Sequence, residues 1–65
     1  MRQHYTVIYH DKIRDIEIQK SIVARNHKRA IKKAAKLDIP RHYEYLGTFW
    51  DYDRNQTNGS ALHAH

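Results

Sequence analysis

At 65 residues the chain has room for one domain with a small core, since a domain of this size buries only about 60% of the surface its unfolded chain exposes. It has no cysteine, which excludes disulfides and thiolate metal sites as a source of stability. Twelve Lys and Arg against seven Asp and Glu give a net charge of +5, a balance that favours nucleic acid, acidic protein surfaces or anionic lipid as partners.

Packing alone must hold such a chain together, or a partner must help; a homo-oligomer is one form of that help. No apolar run approaches the roughly 18 residues needed to span a bilayer, so no membrane partner is expected. The first residues, Met1-Arg2-Gln3-His4-Tyr5, lack a signal-peptide core. Together with the absence of cysteine, this leads us to expect an intracellular, cytoplasmic location.

The first strand is predicted over Tyr5 to His10, where Tyr5, Val7 and Tyr9 alternate with Thr6, Ile8 and His10. Asp11 to Arg14 reads as a tight turn without an Asn-Gly signal. A second strand is predicted over Asp15 to Ala24, with Ile16, Ile18, Ile22 and Ala24 on one face and Glu17, Gln19, Ser21 and Val23 on the other. Pairing Tyr9 with Ile16 and Val7 with Ile18 gives this hairpin one apolar face and sets the expected register.

Asn26 is placed to cap a helix that runs to about Leu37 and stops before Pro40. At about 100° per residue, the helix divides in two. His27, Ala30, Ile31, Ala34, Ala35 and Leu37 form an apolar arc able to dock on a sheet. Lys28, Arg29, Lys32, Lys33 and Lys36 form a basic arc with no acidic residue among them.

A third strand is predicted over Tyr43 to Tyr52, rich in aromatics. Two parities compete for its core face: Tyr43, Tyr45 and Phe49 with Gly47 between them, or Leu46, Trp50 and Tyr52. A bulge at Gly47 would switch between them. The fold class is therefore α+β, a β-β-α-β domain over residues 1–53. One amphipathic helix packs on one face of a three-stranded, mainly antiparallel sheet. Strand order stays open; a third strand beside the first is expected to run parallel to it. Residues 54–65 are polar and aperiodic and are expected to form a disordered tail.

Chemistry-bearing patterns are sparse. Ser21 and Ser60 lie in no nucleophile motif. His4 and His10 share a strand face, with His42 opening the next strand; these would be the acid-base groups of a small metal-independent ribonuclease, the weakest of the readings. No helical His pair is spaced for a metal. Asp51, Asp53 and Asn55 imitate a calcium loop but lack its glycine and its closing glutamate. Gly47 and Gly59 are the only glycines, so no glycine-rich phosphate loop exists. Neither cofactor nor metal is expected.

What remains is a basic helix with nearby aromatics. The expected function is that of a small, non-enzymatic, basic binding protein acting on nucleic acid or a nucleoprotein complex. Lys28, Arg29, Lys32, Lys33 and Lys36 would meet phosphates, and Tyr45, Trp50 and Tyr52 are the aromatic contact candidates. The alternative is an accessory protein that binds and inhibits a host protein of the defence or transcription machinery, in the host cytoplasm if phage-encoded. That likeness to phage proteins is one of size and charge, carried by no motif.

Overall fold

The structure, a computed structural model, describes residues 1–56. In chain order the elements are β1 (Gln3–Asp11), β2 (Ile16–Ala24), α1 (His27–Ala35) and β3 (Tyr43–Trp50). The strands form one sheet in the order β2-β1-β3, and both pairings are antiparallel. The expected α+β architecture, one helix on a three-stranded sheet, is the observed one.

Three details of the sheet differ from expectation. The β1–β2 register pairs Tyr9 with Ile18 and Val7 with Lys20, two residues from the pairing expected. The strand continues through Asp11, and the loop spans Lys12 to Asp15. The buried Asp11 carboxylate accepts from the Ile13 and Arg14 amides at 2.9 and 3.1 Å and from Arg14 Nε at 2.8 Å, which stabilises this longer loop. Asp15 closes it with φ 55, a left-handed conformation that Asp adopts more readily than most residues.

Second, β3 lies beside β1 but runs antiparallel to it. The helix passes Ala24 and Tyr5 at Ala30 and then Val7 and Tyr9 at Ala34, so it runs in the direction of β1. One reversal from β2 into the helix and another out of it leave β3 codirectional with β2, hence opposed to β1.

Third, β3 ends at Trp50. Tyr52 belongs to a helical turn over 52–56 rather than to the strand. The Asp51 carboxylate caps that turn by accepting from the Arg54 amide at 3.0 Å. The tail expected from 54 onward thus begins, at 54–56, inside this turn; residues 57–65 lie outside the described residues.

The parity of β3 does switch. The register slips between Ile8 and Tyr9, so that Tyr45 pairs with Tyr9 and Gly47 with Ile8, leaving Leu46 as the extra residue. Tyr43, Tyr45, Thr48 and Trp50 consequently share the helix side, while Glu44, Gly47 and Phe49 share the open side with His4, Thr6, Ile8 and His10.

The core is small: Tyr5, Val7 and Tyr9 from the central strand, Ala24 from β2, and Ala30 and Ala34 from the helix. Two alanines one turn apart let the helix backbone approach the sheet closely. Asn26 caps α1 as expected, its side chain accepting from the Arg29 amide at 2.9 Å. The His27 ring stacks on Tyr5 with centroids 5.7 Å apart and reaches the Thr48 carbonyl at 2.7 Å, which pins the start of the helix to β3. Leu37 lies beyond the last helical residue and still packs on the core. Ile31, assigned to the docking arc, is instead half exposed.

Candidate functional site

Between α1 and the free edge of β2 runs a groove of about 460 Å³, walled by Arg29, Lys32 and Lys33 on the helix with its cap Lys36, by Val23 and Ala24 of β2, and by Arg2 and Arg25 just outside the strands. Four of the five helix cations singled out by sequence line it. Lys28 does not. It projects from the side of the helix that carries Ile31 and Ala35, about 100° from Lys32's side partner Arg29.

Arg2 and Arg25 were not legible as site residues. Arg2 directly precedes β1 and Arg25 directly follows β2, and the last pair of the ladder, Gln3 with Ala24, brings them to the same end of the hairpin. Six cations therefore share one groove, and among the described residues no ion pair joins any of them to a carboxylate.

One of the six has an internal partner. Asn55 and Asp51 take the backbone groups of His4 on the β3 side. The alternation of an antiparallel ladder then turns the carbonyl of Val23, opposite His4, out toward the free edge of β2. Lys33 Nζ donates to that carbonyl at 2.7 Å. The bond ties the Lys33 side chain to the β2 edge within the groove, and an ammonium has further protons to donate.

Acidic residues collect elsewhere. Asp15, Glu17 and Glu44 surround His10 at one end of the open sheet face: His10 Nε2 lies 2.7 Å from Asp15 Oδ1, and His10 Nδ1 lies 3.9 Å from Glu44 Oε1. Asp51 and Asp53 lie toward the other end with Thr6, Gln19 and Arg54. Hydrogen bonding from the Arg54 amide holds the Asp51 carboxyl below its ordinary value; partial desolvation opposes this, and the Thr6 hydroxyl and the Arg54 charge reinforce it.

The aromatic candidates occupy the β3 side. Tyr45 is half exposed, edge-on to Tyr9 with centroids 6.0 Å apart, its hydroxyl bonded to Thr48 Oγ1 at 2.7 Å. Trp50 donates its indole N–H to Gln3 Oε1 and meets Tyr52 edge-on with centroids 5.9 Å apart. None of the three lines the cationic groove.

The histidines are dispersed. Six strand residues, about 20 Å, separate His4 from His10, so one scissile bond cannot touch both. His42 sits 3.7 Å from the buried Asp11. Asp51 and Asn55, which imitated a calcium loop, serve as caps and backbone partners. Among the described residues no cluster of three or more His, Asp or Glu could hold a metal ion, and no helix is long and apolar enough to cross a membrane.

Comparisons with protein-family models, curated proteins and solved structures return no match, so the functional reading rests on this geometry.

Proposed function

We propose that the protein is a non-enzymatic nucleic-acid-binding protein that grips the phosphate backbone in the groove between α1 and the β2 edge. The supporting observation is the convergence of Arg2, Arg25, Arg29, Lys32, Lys33 and Lys36 on one concave surface without a carboxylate. Such a surface releases counterions from a polyanion and gains affinity without reading sequence. Its three arginines can serve phosphates or guanine edges, while Asn and Gln, which read adenine edges bidentately, are missing from its lining. So are aromatic platforms for unstacked bases, which single-strand binders use. The groove therefore suits a duplex, held by the phosphates of one strand.

The test is fluorescence anisotropy with a labelled duplex of mixed sequence, between about 50 and about 200 mM salt. Affinity should fall linearly on logarithmic axes, with a slope that shrinks by about 0.9 for each phosphate contact removed. A Lys32→Glu, Lys36→Glu variant should lose most binding. Arg25→Glu should weaken binding more than Lys28→Glu, because Arg25 lies inside the groove and Lys28 outside it. Absence of binding at low salt, or a larger loss from Lys28→Glu, overturns the reading.

A further inference from the structure

On the opposite flank of α1 lies a second hollow of different character. It measures about 320 Å³ and is lined by Ile31, Ala34, Ala35, Leu37, Ile39, Tyr9 and Tyr45. No charged side chain is among them. This is the lower end of the size range of ligand pockets, about 300–1,000 Å³, and the composition matches such pockets: an apolar lining with few polar groups.

One of those groups is unexplained by the fold. Tyr9 is 1% exposed, and its hydroxyl is a buried side-chain polar atom without a hydrogen-bond partner. Burial raises its pKa, and Tyr45 adds to the effect. Buried polar groups are otherwise nearly always paired, so the core holds a donor in reserve beside the hollow. The wall over it is the half-exposed Tyr45 ring, held by its hydroxyl to Thr48 Oγ1. Leu46 follows Tyr45 at the bulge and is also half exposed, as is Ile31 across the hollow.

We propose that this cleft receives one large apolar side chain from an acidic segment of a protein partner. A carbonyl of the same segment accepts from the Tyr9 hydroxyl, and a flanking carboxylate meets Lys28. The size suits a single side chain. Apart from the two tyrosine hydroxyls, the lining lacks polar groups that would read the edge of a nucleobase. The rim supplies Tyr45 here and Trp50 and Tyr52 further along the same side, residue types that dominate protein interfaces. Lys28 neighbours Ile31 one turn on, beside Ala35, on the helix surface and lies outside the cationic groove, which selects an acidic segment over a basic one. This site is independent of the cationic groove, since the two occupy opposite flanks of the helix and share no lining residue.

The experiment is a titration of the isotope-labelled full chain, followed by amide NMR. The probes are a blocked aspartyl-phenylalanyl-aspartyl peptide, its glycine-centred counterpart and a short single-stranded oligonucleotide. The phenylalanyl peptide should give saturable shifts at Ile31, Ala34, Ala35, Leu37 and Ile39, and the glycine peptide should not. Tyr9→Phe should weaken the phenylalanyl peptide about threefold to tenfold while raising the melting temperature of the free protein, because it removes the unpaired donor. Ile31→Asp, at a half-exposed position that tolerates polarity, should abolish binding with the fold intact. The proposal is overturned by equal shifts from both peptides, by cleft shifts from the oligonucleotide alone, by no saturable shifts at these residues, or by a Tyr9→Phe variant that keeps full affinity or melts lower.

Discussion

Asn55 takes both backbone hydrogen-bonding groups of His4: the His4 N–H donates to Asn55 Oδ1 at 2.8 Å, and Asn55 Nδ2 donates to the His4 carbonyl at 2.9 Å. Its carboxamide stands in for a peptide unit and extends the β1–β3 ladder past the point where β3 has turned away. The His4 carbonyl also accepts from the Asp51 amide at 3.0 Å, so the helical turn after β3 is stitched to the start of β1.

Asn55→Ala removes two partly buried hydrogen bonds. At about 0.5–1.5 kcal/mol each, the loss should be about 1–3 kcal/mol, or a fall of about 4–8 °C in melting temperature per kcal/mol for a domain of this size. Thermal denaturation by circular dichroism checks the magnitude. Amide exchange checks the cause, because His4 should lose protection while Val7, deep in the central strand, keeps more of its own.

Gly47 is the one position where β3 cannot carry a side chain at its present geometry. A Cβ there would stand 2.9 Å from two carbons of the Phe49 ring, which folds back over the glycine on the open face, and φ is +157°. Gly47→Ala should cost about 1–3 kcal/mol through backbone strain and displacement of that ring. In a Phe49→Ala background the ring component disappears, so a double-mutant cycle by denaturant unfolding should return a coupling energy of about 0.5 kcal/mol or more. Simple additivity would show that backbone strain alone sets the cost.

Acid should destabilise the fold through Asp11 and Asp51. Burial pushes the Asp11 carboxyl upward, but the Arg14 amide and guanidinium and the Ile13 amide more than offset it and leave the value lowered; that of Asp51 is lowered too. A folded pKa below the unfolded one, about 3.9 for Asp, stabilises the fold above that value and ceases to do so as pH falls through the folded pKa. Melting temperature should therefore hold down to about pH 5 and drop steeply below it. Asp11→Asn should lower the plateau and flatten the drop.

The local order of the chain was legible because its patterns are local. Alternation marked β1 and β2, Asn26 marked the helix start, and Gly47 marked the bulge. The hairpin register was not legible, because a shift of two residues keeps every side chain on its own face and period-2 alternation cannot detect it. The arbiter was the Asp11 carboxylate, which caps a four-residue loop that carries no Asn-Gly signature. The cationic surface was legible as a helical stripe but not as a groove. Its other wall, Arg2 and Arg25, exists only through strand pairing, although an arginine directly before the Asn26 cap was a hint. The buried Tyr9 hydroxyl left no trace in the sequence, since nothing there tells a paired phenol from an unpaired one.

The separation of charge between the two layers has a consequence for motion before any contact forms. Asp15, Glu17, Glu44 and Asp51 lie on the sheet side and six cations converge beside the helix, so charge is unevenly divided and the molecule is an electric dipole as well as a net cation. In the field of a polyanion such a body feels a torque as well as a pull, and it turns its helix layer forward while still approaching. With the nucleic-acid partner proposed above, encounters should begin pre-aligned, and dissolved salt, by shortening the reach of the field, should slow arrival as well as weaken the hold.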